Sequence, residues 1–278
     1  MSTVLDKSPA LGRELLAGAV RSLRKHPSAG APYPDTRLVL RGVRPDAARL
    51  ARYARLCAFP APSGHLPLPY LHVLAFPLTV RLLGARDFPL PLPGLVHTSV
   101  ELVGHAPLPV PEPYELAVRV SGLAPHRRGT EATVVTQARL SGQPVWESRS
   151  TYLSRHRTPE GAAPAPPPAP TAPLPPLASW DLPGGLGRAY AAASGDRNPI
   201  HLTRLTARLF GFPRAIAHGM WTAARCLAQY GDVPAVRVEF RAPVPLPGVV
   251  RYGAEGDRFE LRGGDGRVHV SGRVGGVP

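Results

Sequence analysis

The sequence predicts an α+β protein that contains one unit twice, an apolar helix followed by antiparallel strands. An apolar helical stretch over 218–229 precedes four strand-like segments, and a similar stretch over 66–83 precedes four more. The predicted strands are 95–103, 114–121, 130–140, 143–153, 235–241, 248–255, 258–262 and 267–274. Because a helix that is apolar on most sides must be covered, each unit is expected to wrap its strands around its helix.

Turn signals support the repeat. Residues 263–266 read Gly-Gly-Asp-Gly, a hairpin signal between the last two strands, and Ser141-Gly142 marks the equivalent turn in the N-terminal half. In both halves, the strand after the helix runs into a proline-rich bend, at 105–109 and at 242–247. This shared order predicts an internal duplication.

Shorter elements complete each half. Ahead of the first unit lie a helical apolar stripe over 11–23, a strand over 37–43 and a helix over 46–56, and we interpret these elements as an N-terminal extension. The stripe consists of Leu11, Leu15, Leu16, Val20 and Leu23. The second unit begins with a lead-in segment and helix over 180–193, followed by a short helix over 203–210.

A proline-rich stretch separates the halves. Nine of the twenty residues at 158–177 are proline, and this composition favours extended polyproline II over helix or strand. We therefore predict an N-terminal domain with its extension over 1–157, a Pro/Ala-rich linker over 158–178 and a C-terminal domain over 179–278.

The chain is strongly basic, with 33 Lys and Arg against 19 Asp and Glu and a formal net charge of +14. Only Lys7 and Lys25 are lysines, and the scattered arginines accompany abundant Ala and Pro, a composition typical of GC-rich coding. Without a basic run and interleaved aromatic residues, the sequence does not favour nucleic acid as a partner.

The apolar runs predict a cytoplasmic protein without membrane contact. The first residues lack the apolar core of a signal peptide. The longest apolar run, over 70–80, contains His72 and Pro77 and is too short to cross a bilayer.

The most informative segment is Ser-Gly-Asp-Arg-Asn-Pro-Ile-His at 194–201. It places the carboxylate of Asp196 and the imidazole of His201 five residues apart, and these groups are the usual pair for moving protons near neutral pH. Gly195 permits a backbone conformation that other residues resist, and Pro199 fixes the chain just before His201. We expect the two side chains to face one small space with a water held between them.

This segment, with Tyr190 before it and Ile-Ala-His-Gly-Met at 216–220, resembles the MaoC-like, or R-specific, enoyl-CoA hydratases and 3-hydroxyacyl-thioester dehydratases. Ala193 departs mildly from the family pattern, which prefers a larger aliphatic residue there. The resemblance covers most of residues 66–278. It implies a double hotdog, two hotdog repeats that each have a long central helix wrapped by an antiparallel sheet, with a first repeat that has given up catalysis.

The resemblance also implies roles for residues of the C-terminal half. Asp196 and His201 would form the catalytic pair. The backbone N–H of Gly219, where the longer helix begins, would be the donor to the thioester oxyanion. Ser194 and Asn198 either orient the loop and His201 or are turn residues that bond their own backbone.

In the first repeat, the helix contains Pro77, which removes one helical hydrogen bond and kinks the segment. The resemblance implies a broken or displaced helix that makes room for an acyl chain. The predicted lining of this acyl tunnel is Leu74, Phe76 and Pro77.

The predicted activity is that of a hydro-lyase on 2-enoyl and (R)-3-hydroxyacyl thioesters, carried by coenzyme A or by acyl carrier protein, in fatty acid metabolism. No cofactor or metal is expected, because the leaving hydroxyl and the acidic C–H both belong to the substrate. Two alternatives stay open, a non-catalytic acyl-thioester binding or scaffold protein and a hotdog thioesterase. A thioesterase needs a carboxylate on the central helix, and residues 218–229 contain none. A further homodimer is compatible with this prediction, although no motif indicates it.

Overall fold

The computed structural model describes residues 2–61, 64–157 and 172–275. The strands are β1 (Ser2–Leu5), β2 (Arg37–Val43), β3 (Leu95–Gly104), β4 (Tyr114–His126), β5 (Gly129–Leu140), β6 (Gln143–Arg155), β7 (Pro176–Leu182), β8 (Ala235–Phe240), β9 (Gly248–Glu255), β10 (Arg258–Gly263) and β11 (Val268–Val274). The helices are α1 (Leu11–Ser22), α2 (Ala47–Cys57), α3 (Tyr70–Leu83), α4 (Leu186–Ser194), α5 (Arg204–Arg208) and α6 (Gly219–Tyr230). The strands form a sheet in the order β1-β2-β4-β5-β6-β3-β8-β11-β10-β9-β7.

Apart from β1, the sheet consists of two equivalent halves. From its outer strand to the centre, one half runs β2-β4-β5-β6-β3 and the other runs β7-β9-β10-β11-β8. Helix α3 packs against β4 and β5, and α6 packs against β10. Strands β3 and β8 pair antiparallel, with Val100 opposite Val238, and so join the halves into one sheet. This arrangement confirms the predicted double hotdog.

The central helices supply much of the core. Helix α3 is apolar on nearly all sides, and it buries Tyr70, Leu71 and Leu78 completely. Helix α6 buries Ala223 and Cys226 completely. Across the described ranges, every helix is too short or too polar to span a bilayer.

The segment interpreted as an N-terminal extension is largely part of the first repeat, which corrects the prediction. Strand β2 pairs with β4 at the position that β7 occupies beside β9 in the other half. Helix α2 follows β2 as α4 follows β7, and α2 packs against α4. The resemblance did not indicate this correspondence, because the first repeat has no counterpart of the 194–201 motif after α2.

Strand β7 lies where the sequence predicted no strand. It covers the end of the predicted linker and the start of the lead-in segment. It begins at Pro176 and lies at the edge of the sheet, where a strand tolerates proline because no partner needs the missing N–H. Residues 158–171 of the linker lie outside the described ranges, so the domain boundaries at 157 and 179 stay a prediction.

Helix α1 forms where the stripe predicted it, but the buried face is different. Leu16, Val20 and Leu23 are exposed, whereas Gly18 and Ser22 are buried. A Cβ on Gly18 would lie 3.1 Å from Cα of Gly84, the residue after α3, and 2.5 Å from Cδ2 of Leu92, so the small residues allow α1 to approach the end of α3. Close backbone packing, and not the apolar stripe, sets the orientation of this helix.

The predicted break at Pro77 is wrong, because α3 continues through this residue as one helix. Proline removes one hydrogen bond. The turns on both sides are nevertheless held by buried side chains, among them Val73, Leu78 and Leu82. Packing therefore keeps the helix intact where local propensity disfavours it.

Candidate active site

The site begins where α4 ends. Gly195 has a φ of 85°, in the left-handed region, and its N–H donates to Ala191 O at 2.9 Å. Arg49 of α2 donates through Nε to Ala193 O at 2.7 Å and through its guanidinium to Ser194 O. These bonds satisfy carbonyls that a helix end leaves without an intrahelical partner. The first repeat therefore caps the helix that leads into the motif.

The turn after α4 is held by side chains that bond its own backbone. Ser194 Oγ donates to Tyr190 O at 2.8 Å and accepts from Asp196 N at 3.1 Å. Asp196 Oδ1 accepts from Asn198 N at 3.0 Å, and Asn198 Oδ1 accepts from Ile200 N at 3.4 Å. Of the two roles considered for Ser194 and Asn198, these contacts match the turn residues that bond their own backbone.

His201 ends a 3-10 turn, Pro199–His201, and is buried. Its Nδ1 lies 2.8 Å from Ile216 O. Because a carbonyl only accepts, Nδ1 carries the hydrogen and Nε2 of the neutral ring keeps its lone pair. Burial lowers the pKa of His201, which favours this neutral form, while Asp196 opposes the shift. The ring is therefore prepared to accept a proton at Nε2.

A glycine in α4 allows this turn to approach. A Cβ on Gly187 would lie 1.8 Å from His201 O, a distance that no side chain can occupy. The 3-10 turn therefore packs directly on the helix backbone, which places His201 beside the residues that follow α4.

Asp196 lies next to His201. Burial raises the pKa of the Asp196 carboxyl, and the His201 ring and the Asn198 N–H oppose this shift. The side chain keeps 20% of its surface exposed. A carboxylate oxygen of Asp196 and a ring nitrogen of His201 lie within 4.8 Å of each other, a separation at which one water can bond to both groups. The pKa of the acid and the pKa of the base shift toward each other, which suits a pair that shares a proton.

The sequence assigns no chemical role to His218, but the structure places it in the site. Its Nε2–H donates to the backbone O of Asp196 at 3.0 Å. Its ring stacks on His201 with centroids 3.7 Å apart and contacts Tyr190 at 4.7 Å. Burial holds its pKa well below the ordinary value, so His218 is neutral. The sequence signal for a role of His218 in the site was its position beside Gly219, but the sequence does not show which residues a lone histidine contacts.

Gly219 is the first residue of α6, directly after His218. N–H groups in the first turn of a helix have no intrahelical acceptor and attract negative charge. A Cβ at this position would lie 3.2 Å from the Phe240 ring. The absence of a side chain therefore lets the Phe240 ring pack against the start of α6, and no side chain of residue 219 stands between its N–H and a substrate oxygen.

The two repeats meet at a small pocket beside Asp196. It has a volume of about 20 Å³ and is lined by Tyr190, Ser194 and Asp196 on one side and by His72, Val73 and Phe76 on the other. This is enough room for one water. Of the predicted tunnel residues, only Phe76 borders this pocket. Leu74 packs against the core, and Pro77 is not part of the lining.

Asp196, His201 and His218 bring three potential ligand atoms within 4.8 Å. A metal ion must lie near the plane of each imidazole that binds it. The rings of His201 and His218 are stacked with an interplanar angle of 25°, so one ion cannot lie in both planes. The donor set therefore suits a bound water and proton transfer better than a metal.

The fold and the Asp–His pair define a MaoC-like hotdog protein. The family described as MaoC like domain matches residues 187–273, a range that contains Asp196, His201 and Gly219. The chain is 37% identical over 218 residues to 3-hydroxyacyl-thioester dehydratase X of Mycobacterium tuberculosis, across 76% of this chain and 78% of that protein. The chain therefore belongs to the MaoC-like dehydratase family.

Solved structures agree with this assignment. The crystal structure of HtdX from Mycobacterium tuberculosis has a TM-score of 0.76 to this chain at 34% identity, covering 86% of this chain and 99% of that one. A MaoC-like dehydratase from Phytophthora capsici has a TM-score of 0.69 at 18% identity, covering 88% of this chain and 95% of that one. The second likeness concerns the fold alone.

Proposed function

We propose that the protein is a hydro-lyase that interconverts 2-enoyl thioesters and (R)-3-hydroxyacyl thioesters. The observation that carries the proposal is the hydrogen bond from His201 Nδ1 to Ile216 O. This bond leaves Nε2 of a buried, neutral imidazole free to accept a proton next to Asp196. The name of the Mycobacterium tuberculosis relative, a 3-hydroxyacyl-thioester dehydratase, supports the same reaction.

In the hydration direction, one water bonds to the Asp196 carboxylate and to His201 Nε2. His201 Nε2 takes a proton from the water as the water oxygen attacks C3 of the substrate. The electrons of the double bond move toward the thioester carbonyl, and the oxygen that gains negative charge bonds to the N–H of Gly219. The Asp–His pair then returns the proton to C2. Dehydration follows the same steps in reverse, and no atom is needed beyond water and substrate.

The charge distribution supports these roles. Burial disfavours both the Asp196 carboxylate and the His201 imidazolium, so each charged form depends on the other. When His201 takes a proton, its positive charge forms beside the Asp196 carboxylate in a partly desolvated site, where their attraction is stronger than in water. Neutral His218, stacked on His201, adds no positive charge that would oppose this step.

The alternative functions are less consistent with these residues. Helix α6, Gly219–Tyr230, has no carboxylate that could serve a thioesterase of the kind considered above. A scaffold protein would have no need of a buried Asp–His pair, which is costly to maintain without a function. The carrier of the acyl group stays part of the proposal, as coenzyme A or acyl carrier protein, and so does a homodimer.

The decisive measurement is the loss of enoyl-thioester absorbance when the purified protein meets crotonyl-CoA. We expect turnover that falls by about a hundredfold or more in Asp196→Asn. Release of free coenzyme A thiol without 3-hydroxybutyryl-CoA would instead identify a thioesterase. Tight binding of crotonyl-CoA with no turnover at any pH would identify a binding protein and overturn the proposal.

A further inference from the structure

The core-facing side of β6 in the first repeat is polar. Ser148, Ser150 and Tyr152 alternate along this strand and are buried, with 1%, 2% and 6% of their surface exposed. The period of two places all three on the face that covers α3, where a strand normally presents apolar residues. This row therefore needs polar partners inside the protein.

Two histidines extend the row into a cluster. His72 of α3 has Nδ1 at 3.2 Å from Ser148 Oγ, and its ring stacks with that of His97 at 5.8 Å. His97 in turn stacks on Tyr152 at 4.6 Å. We name His72, His97, Ser148, Ser150 and Tyr152 the polar cluster. Burial lowers the pKa of His72 to about 4 and holds that of His97 well below its ordinary value, so both rings are neutral.

Three atoms of the polar cluster are buried without a hydrogen bond to the described residues, namely His97 Nε2, Ser150 Oγ and Tyr152 Oη. The Ser150 hydroxyl faces that of Tyr152 and lowers its pKa, as a hydrogen-bonding group would, against the effect of burial, yet the two oxygens do not meet the distance and angle of a hydrogen bond. A buried polar atom that lacks a partner is costly, so protein cores rarely keep several together. Their concentration at one place points to a bound group.

The polar cluster borders the candidate active site. His72 lines the same pocket as Asp196, and the negative charge of Asp196 contributes to the raised pKa of Tyr152. The His97 ring also lies 4.9 Å from Phe240, the residue that packs over Gly219. An acyl group whose thioester oxygen meets Gly219 would therefore find the polar cluster on the side of the first repeat.

We propose that the polar cluster binds an oxygen-bearing group, a hydroxyl or oxo group beyond C3, on the acyl part of the substrate. The proposal rests on the function proposed above. Hydroxyls of Ser150 and Tyr152 both donate and accept, and a neutral imidazole has one donor and one acceptor, so the polar cluster matches such a group. A plain hydrocarbon chain would leave the same atoms unpaired, which is an effective basis for discrimination.

The test compares matched thioesters on one carrier, a plain 2-enoyl-CoA series and the same chains with one hydroxyl or oxo group beyond C3. We expect the wild-type protein to prefer the best oxygenated member in kcat/KM by about tenfold, the effect of one hydrogen bond. Tyr152→Phe and Ser150→Ala should remove most of this preference and leave plain chains nearly unchanged. Tyr252→Phe, which removes another buried hydroxyl without a hydrogen bond in the second repeat, should retain the preference.

Three results would overturn the inference. Equal losses in Tyr152→Phe for plain and oxygenated chains would mean that the polar cluster holds the carrier arm shared by all substrates or supports the fold, and thermal unfolding separates these cases. A wild-type preference for plain chains would exclude the site directly. If no thioester is turned over, the proposed hydro-lyase has failed, and calorimetry with saturated acyl-CoA and its hydroxylated counterpart tests the inference separately. Tighter binding of the hydroxylated compound, lost in Tyr152→Phe, would support the inference. Equal binding of the two compounds would overturn it.

Discussion

The connections that lead from α2 to α3 and from α4 to α6 occupy the same place in the two repeats, but they differ in content. Both helices end in the left-handed conformation, at Ala58 with a φ of 58° and at Gly195 with a φ of 85°. The first connection has twelve residues, 58–69, whereas the second, 195–218, is twice as long. Its extra length forms a 3-10 turn and α5 and returns His201 to Asp196. The chemistry thus lies in a connection grafted onto a shared frame.

The starts of the two central helices show the same contrast. Helix α3 follows Pro69, and the N–H of Tyr70 donates to Pro67 O at 2.8 Å. Helix α6 starts at Gly219, without a side chain, next to the ring of His218. The first N–H of α3 therefore belongs to a residue with a large side chain and is already hydrogen-bonded, whereas the N–H of Gly219 at the start of α6 can bond a ligand.

The largest effect should follow from removing the residues that the first connection lacks. We expect Asp196→Asn and His201→Gln each to lower kcat by about a hundredfold or more, the scale of general acid–base catalysis. Because both groups bond to one water, the double variant should be little slower than either single variant. Steady-state rates with crotonyl-CoA test this. Losses that multiply in the double variant would show that the residues act independently.

The same Asp196→Asn variant should be at least as stable as the wild type at neutral pH. Burial raises the folded-state pKa of Asp196, so the stabilising contribution of the protonated form is lost as the pH rises through that pKa. Asparagine stays neutral and can still accept the Asn198 N–H. The advantage in Tm should shrink as the pH falls through the pKa of Asp196.

The second prediction tests the helix start. Gly219→Pro removes the N–H at a first helical position, where proline is tolerated, and His218 already has the extended backbone that precedes proline, with a ψ of 135°. Gly219→Ala adds a similar Cβ beside Phe240 but keeps the N–H. We expect kcat of the proline variant to be about a hundredfold below that of the alanine variant, the value of one oxyanion donor. Equal rates would remove Gly219 from the mechanism.

The third prediction concerns the support that one repeat gives to the other. Arg49 bonds the carbonyls of Ala193 and Ser194, just before Asp196. Arg49→Ala should lower kcat about tenfold by loosening the turn, at the scale of one or two hydrogen bonds. Arg49→Lys should recover only part of this loss, because an ammonium cannot form the same fork. Exposed Arg52 of the same helix is the matched control. If KM rises while kcat is unchanged, Arg49 contacts substrate instead of positioning the turn.

Most of the fold could be predicted because its signals are local. Apolar and β-branched patterns marked nine strands, and glycine turns marked two of the hairpins. Strands β1 and β7 were missed because a short edge strand and a strand that begins in a proline-rich run have no such pattern. The face of α1 was wrong for another reason, since Gly18 packs by backbone contact, which the distribution of apolar residues does not reveal.

The site divides in the same way. Asp196, His201 and Gly219 belong to segments that the motif joins along the chain, so their proximity could be predicted from the sequence. Arg49, His72 and Tyr152 come from distant parts of the first repeat. Only the packing of α2 on α4 and of α3 beside β6 brings them near Asp196. Contacts across repeats cannot be predicted from spacing along the chain.

The fourth prediction concerns the tunnel. Ala75 of α3 is not suitable for blocking the tunnel with a larger side chain. It is buried in the core, so a large residue there would overpack the fold. Phe76 borders the pocket, and Phe76→Ala should favour longer plain enoyl thioesters over crotonyl-CoA, at up to about 0.8 kcal/mol for each methylene buried. Leu74→Ala, which alters a core contact of the same helix, should change all chain lengths alike. A chain-length series of kcat/KM distinguishes the two outcomes. No shift in Phe76→Ala would place the acyl chain elsewhere.

The smallest effect is expected from changes in the proline-rich linker, whose composition differs most from that of a folded domain. The halves are joined by the pairing of β3 with β8, so the composition of the linker should matter little. Replacing 160–171 with a Gly/Ser segment of equal length should leave both kcat and Tm nearly unchanged. The residues just beyond behave differently, because Leu174 N donates to Glu260 Oε1 at 2.8 Å and Ala254 N donates to Pro175 O at 3.2 Å. Glu260→Ala removes the first acceptor and should lower Tm measurably. A Gly/Ser variant that unfolds as readily as Glu260→Ala would show that the linker is packed against the fold and that the predicted boundary is wrong.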